Sequence, residues 1–143
     1  MVKYNSLFQI QFDNIMIITI VRNPYERIIS DLFFLKLITM DTTPDMVLTI
    51  INDYVDSDNY DNHNLPQYTF ITNDREEIIE NIHILKTEHL TEDMVRLGFS
   101  DFNIYRNVND KKVDYYQYLN KDSIEKINHF YNLDFKLFHY DML

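Results

Sequence analysis

No cysteine occurs in the chain, which excludes disulfides, thiolate catalysis and cysteine-based zinc sites. Glycine occurs once, at Gly98, so neither glycine-rich phosphate loop, GxxxxGK[ST] or GxGxxG, can be written. Basic residues are scarce: 13 Lys and Arg stand against 23 Asp and Glu, giving a net charge of −10. Such a balance disfavours general binding to nucleic acid or to an anionic membrane, yet leaves room for a small basic pocket. Long apolar runs are missing too. The longest, residues 15–21, is about seven residues, against roughly 20 needed to span a bilayer. The first residues lack the charged start, apolar centre and small-residue cleavage site of a signal peptide. The chain reads as soluble and, by default, cytoplasmic.

What is present is globular. The 143 residues are 45% hydrophobic and 15% aromatic, enough for one core and one domain, 1–143. Residues 15–21, "IMIITIV", are apolar and β-branched, which predicts a strand buried on both faces as in a parallel sheet. Asn23 then reads as an N-cap, with Pro24 at the first helical position and Glu26 placed for a capping box. Tyr25, Ile28, Ile29, Leu32 and Phe33 recur at helical spacing, while Asn23, Arg27, Ser30 and Phe34 fall on another side.

Thr43-Pro44-Asp45 predicts a second helix with Val47, Ile50, Ile51 and Tyr54 as its buried stripe. A polar, acidic loop follows, "DSDNYDNHNLPQ". Asn73 with Glu76 predicts a short helix to about Asn81, and residues 82–86 a strand inside the sheet, with His83 packed in the core. Residues 91–97 read as a helix ended by Gly98 in the left-handed conformation, and 102–108 as a strand or extended connection. Residues 122–131 read as a last helix carrying Ile124, Ile127 and Tyr131. This order is that of an α/β domain with crossover connections, in which a parallel sheet is covered by helices.

Ligands in such sheets bind beyond the carboxyl ends of the strands, where Arg22 and Asn23 fall. The N–H groups and partial positive charge of the helix start favour an anion there, and Arg22, Arg27 and Ser30 add donors suited to phosphate or sulfate. Plain structural uses compete with this socket. Arg22 can pair with Glu26, Arg27 with Asp31, and Ser30 can bond back to the helix backbone.

The pattern R-[ND]-P-x-x-R-x-x-S, here "RNPYERIIS" (22–30), resembles the 3′-phosphate-binding motif of sulfotransferases, and its aromatic-rich continuation looks most like the carbohydrate-type branch. "HNLPQYTFI" (63–71) is similar to that branch's His-x-x-Pro-Gln segment, "IHILKTEHLTEDM" (82–94) to its strand, Glu-Leu pair and helix, and residues 115–140 to its closing tyrosines, helix and Asp-Phe-x-x-Phe-x-Tyr.

The resemblance implies the P-loop-NTPase-like sulfotransferase fold. It also implies transfer of a sulfuryl group from 3′-phosphoadenosine 5′-phosphosulfate to a hydroxyl, with no metal. The acceptor implied is a carbohydrate or small molecule, and net acidity favours a neutral or weakly charged one. Carried over, Arg22 and Ser30 hold the 3′-phosphate with Asn23 beside them, and Arg27 supports. Thr87 and Glu88 lie where the family positions the nucleotide or the sheet edge; Asn109, Lys111 and Lys112 lie where some members close over the cofactor.

The family's opening Pro-Lys-x-Gly-x-(Ser/Thr) loop for the 5′-phosphosulfate has no counterpart in the fourteen residues before Ile15. The expectation is therefore an N-terminally truncated form whose loop comes from an upstream segment or a second chain, or has been lost. A non-catalytic binding or interaction module derived from the fold is the alternative.

For the base that deprotonates an acceptor hydroxyl, His63 comes first because its ordinary pKa lies near neutrality, although a solvated loop histidine is the more ordinary reading of that position. Glu26 is second, with its capping role as the competing use. The acidic loop lacks the glycine and glutamate of a calcium-binding loop, and the histidines have no zinc spacing. Tyr115, Tyr116 and Tyr118 suit stacking on a ligand, or packing.

Overall fold

A strand, β1 (Ile17–Val21), runs into helix α1 (Pro24–Phe34) through Arg22 and Asn23. The computed structural model describes residues 16–102 and 113–143. After α1 come α2 (Pro44–Val55), a 3-10 turn at Gln67–Phe70, β2 (Ile82–Lys86) and α3 (Leu90–Arg96). A second 3-10 turn, Tyr115–Tyr118, precedes α4 (Lys121–Phe130) and α5 (Asn132–Leu137).

The two strands pair in parallel, Ile17 opposite Ile82 through Val21 opposite Lys86. With α1 and α2 in the crossover between them, this is an α/β arrangement, and both strands end at the same edge. That register sets Arg22 and Asn23 beside Thr87 and Glu88.

Helix starts follow local chemistry. The Asn23 side chain accepts from the Tyr25 N–H at 3.0 Å with Pro24 at the first position. Thr43 caps α2, and Asn120 with Ser123 forms a full capping box on α4. The apolar stripes of α1, α2, α4 and α5 make the core: Tyr25, Ile28, Ile29, Leu32, Val47, Ile51, Tyr54, Ile127, Tyr131 and Phe135 are all buried. Tyr25 tilts against Phe135 with ring centroids 5.0 Å apart, and Phe33 meets Tyr118 edge-on at 5.2 Å. Burying ten such side chains, each stabilising by about 1.5–3 kcal/mol, is what makes these helices hold together.

Three expectations from sequence are corrected. Residues 73–81 form no helix. The Asn73 side chain accepts from the N–H groups of Arg75 and Glu77 at 2.8 and 3.1 Å, Glu76 takes a positive φ of 60°, and Thr72 bridges Ile78 antiparallel. The same side-chain oxygen that can cap a helix has closed a tight turn instead. His83 is exposed on β2, not packed in the core. The sheet is shallow: among the described residues β2 pairs with β1 alone, and Ile20 is 47% exposed. The sequence segment 102–108 and the candidates Asn109, Lys111 and Lys112 lie outside the described residues apart from Phe102.

Helix ends were less legible. Gly98 closes α3 at φ 98°, as its sequence predicts, with the Phe99 N–H donating to the Met94 carbonyl at 3.0 Å. Lys36 does the same for α1 at φ 59°, and His139 for α5 at φ 54°. In each, the following N–H reaches back five residues, Leu37 to Leu32 and Tyr140 to Phe135. The turn at His139 returns Tyr140 toward the strand ends.

Candidate functional site

Arg22 is the first residue past β1, and its backbone is held on both sides by one side chain. Its N–H donates to Gln67 Oε1 and its carbonyl accepts from Gln67 Nε2, each at 2.9 Å. The guanidinium lies between two groups. Nε and Nη2 donate to Glu26 Oε2 at 3.4 and 3.3 Å, and the Tyr115 ring lies beneath it, 5.1 Å from Cζ to centroid.

Glu26 thus turns to Arg22 and does not close the capping box expected of it. The backbone N–H of Asn23 is taken by Glu88 Oε1 at 3.3 Å, from the far strand end. Glu88 Oε2 also accepts from Thr87 Oγ1 at 3.3 Å and from the Tyr140 hydroxyl at 3.1 Å. A carboxylate is well placed at a helix start because the N–H groups and the dipole both favour an anion. Lys86 Nζ sits over the Tyr140 ring at 4.1 Å and donates to the His139 carbonyl at 3.2 Å. Burial, then the Glu88 charge, raises the Tyr140 hydroxyl above its ordinary pKa. Burial, then the Glu26 charge, does the same to Tyr116, so both stay neutral donors at neutral pH.

Arg27 is committed elsewhere. Its Nη1 donates to the Leu65 carbonyl at 2.8 Å and Nη2 to the His63 carbonyl at 2.6 Å, with Asp31 3.8 Å from Nε. A planar fork reaching two carbonyls of one loop at once is a use for arginine that lysine does not share. Asp31 is raised above the usual carboxylate range by burial, partly offset by the Arg27 and His63 charges. Ser30 lies on the same side of α1, half-buried, and its hydroxyl makes no hydrogen bond among the described residues.

His63 stands at the end of a tight turn. Asp61 and Asn62 both take positive φ, 47° and 65°, and the His63 N–H returns to the Tyr60 carbonyl at 2.9 Å. Asp and Asn tolerate that conformation better than most residues. The exposed imidazole stacks on Phe34 at 6.1 Å and 22°. Asp56 of the same loop pairs with Lys126 at 3.7 Å. Tyr118 is packed in the core, Tyr115 lines Arg22, and Tyr116 is 40% exposed.

The structure therefore brings Arg22, Asn23, Glu26 and Glu88 together at one strand edge, with Arg27 and Ser30 further along α1 and His63 at its flank. Two residues that hold this arrangement, Gln67 and Asp134, stand in the His-x-x-Pro-Gln and Asp-Phe-x-x-Phe-x-Tyr patterns but were given no role from sequence. Asp134 is fully buried and accepts from the N–H groups of Gln67 and Tyr68, both at 2.8 Å. Burial raises its pKa, and those hydrogen bonds oppose the shift. Its signal was present: an aspartate on the apolar stripe Ile127, Tyr131, Asp134, Phe135, Phe138 must have found partners.

Among the described residues no group of three or more His, Asp or Glu is arranged to hold a metal ion, and no helix is long and apolar enough to cross a membrane. The family model described as the sulfotransferase family matches residues 1–141. No curated protein and no solved structure matches the chain.

Proposed function

The chain belongs to the sulfotransferase family, and from that premise we propose that it moves a sulfuryl group from 3′-phosphoadenosine 5′-phosphosulfate to a hydroxyl of a carbohydrate or small molecule. The observation that carries the reading is Arg22, fixed at the carboxyl end of β1 at the mouth of α1, with a Ser30 hydroxyl on that helix that makes no hydrogen bond among the described residues. Family membership favours this donor, and a strand end opening onto a helix N-terminus suits its 3′-phosphate.

In this reading Arg22 and Ser30 bind the 3′-phosphate beside the start of α1, where Asn23 stands. Arg27 supports by holding the 63–65 segment, and the resemblance to the family assigns Lys111 and Lys112 to the nucleotide. Glu88 orients the N–H of Asn23, the cap residue of α1. The donor, when bound, supplies an activated sulfuryl group. This chain's task is to orient it, and His63 takes the acceptor's proton at its exposed imidazole. Glu26 is the second candidate for that proton, less suited because it is engaged with Arg22. The cradle for the 5′-phosphosulfate comes, in this reading, from an upstream segment or a second chain. The fold it belongs to is then the P-loop-NTPase-like sulfotransferase fold.

A second reading, a binding module without turnover, is favoured by the two carboxylates already occupying the socket, Glu26 on Arg22 and Glu88 on Asn23. Calorimetric titration with 3′,5′-bisphosphoadenosine, against adenosine 5′-monophosphate, tests what both share. Arg22→Ala removes a charge-assisted contact of about 1.5–3 kcal/mol and should weaken binding tenfold or more. Unchanged affinity overturns the socket. Sulfuryl transfer to a hydroxyl acceptor by the binding-competent protein then separates enzyme from module.

A further inference from the structure

Arg22 stands where a sheet normally stops controlling its chain. Ladder pairing ends at Val21 opposite Lys86, and beyond it backbone dihedrals are free to vary. Here the Gln67 amide continues the ladder by side chain. It accepts from the Arg22 N–H and donates to the Arg22 carbonyl, both at 2.9 Å, so the two hydrogen bonds close on a single residue. A two-point pairing of this kind fixes φ and ψ together, and with them the direction in which the arginine side chain leaves the backbone.

Gln67 is itself held. It opens the 3-10 turn Gln67–Phe70 after Pro66, and that turn has no cap from its own neighbourhood. Asp134, on α5, supplies one from 67 residues away: Oδ2 accepts from the Gln67 N–H and Oδ1 from the Tyr68 N–H, each at 2.8 Å. Oδ2 also lies 3.4 Å from Gln67 Nε2, the nitrogen that donates to Arg22. Asp134 is fully buried. Ionic acceptors make the stronger hydrogen bonds, and a buried carboxylate with this many donors is anchored. The chain of contacts runs from the α5 backbone through Asp134 and Gln67 to Arg22 without a gap.

We propose that Gln67 and Asp134 are positioning residues for Arg22, so that packing of α5 sets the aim of the anion-binding guanidinium. This rests on the reading of Arg22 as the 3′-phosphate contact. The two residues touch no ligand group in the proposal; they act through the backbone of a residue that does.

The test is a double-mutant cycle read by calorimetry with 3′,5′-bisphosphoadenosine. Gln67→Leu keeps the volume and removes both hydrogen bonds. It should weaken binding about tenfold, the scale on which a small misplacement of a charge-assisted contact acts, while adenosine 5′-monophosphate is little affected. In the Arg22→Ala background the same change should have no further effect, because Gln67 has lost the group it positions.

If Arg22→Ala alone leaves affinity unchanged, the reading of the site fails and this inference fails with it. If Arg22→Ala weakens binding but Gln67→Leu does not, or the two losses add in full, only the positioning role is overturned. Hydrogen exchange in the unaltered chain guards against a variant that does not fold. The Arg22 amide should be protected like the ladder amides of β1, and free exchange there overturns the clamp.

Discussion

Glu88 accepts the backbone N–H of Asn23 at 3.3 Å across 65 residues of sequence, taking the place that Glu26 holds in an ordinary capping box. Glu26, three residues from Asn23, is drawn to the Arg22 guanidinium instead. The exchange brings two carboxylates to the mouth of α1, and they lower the net attraction of the socket for an anion.

Glu88→Gln removes the charge while keeping one oxygen to accept from the Asn23 N–H, and its amide N–H2 donates to the Tyr140 hydroxyl in place of the second carboxylate oxygen. Binding of 3′,5′-bisphosphoadenosine should tighten several-fold at low salt, and the gain should shrink as ionic strength rises past about 0.1 M, where the Debye length is near 10 Å. Titrations at two salt concentrations check it. Weaker binding of the variant at both would mean that the carboxylate is needed to set the start of α1.

Arg27→Lys preserves charge and stem but replaces a planar fork with a point donor. One of the carbonyl contacts, to Leu65 or to His63, should be lost. The expected cost is about 1.5–3 kcal/mol in urea denaturation, as for a hydrogen bond to a charged group. The 63–65 backbone should exchange its amides faster. Unaltered stability and exchange would show that the charge alone suffices.

Asp31 sets a pH dependence. Burial holds its folded pKa above the ordinary value of 3.8, so the folded chain keeps a proton over a window in which the unfolded chain has lost it. Stability is then greatest below the unfolded pKa and falls as pH rises through the folded one, levelling beyond it. Asp134 is shifted in the same direction and adds to the decline. Asp31→Asn should make the fall of the urea midpoint from about pH 3.8 upward shallower. An unchanged slope would assign the decline to other groups.

Several elements were legible because their signals are local. The β-branched run gave β1, Asn23-Pro24 the start of α1, Thr43-Pro44 that of α2, and Gly98 the end of α3. At residues 73–81 the same kind of signal misled, because an asparagine side chain that caps a helix closes a turn equally well. Lys36 and His139 take left-handed conformations with no glycine to announce them. Packing of Leu37 and Tyr140 against the core outweighs a cost of about 1–2 kcal/mol at each.

The sequence by itself determined the anion-suited motif, the α/β order of its strands and helices, and the family to which the chain belongs. Each depends on residue types a few positions apart, within reach of one helical turn or one strand. Which acceptor meets which donor was decided only in three dimensions. Glu88 reaches Asn23 across 65 residues, Gln67 reaches Arg22 across 45, and Asp134 reaches Gln67 across 67. Spacing cannot rank such partners. A carboxylate finds whichever unpaired donor the packed helices and the parallel register bring within about 3 Å, because a buried polar group left unpaired costs more than the local bond it gives up.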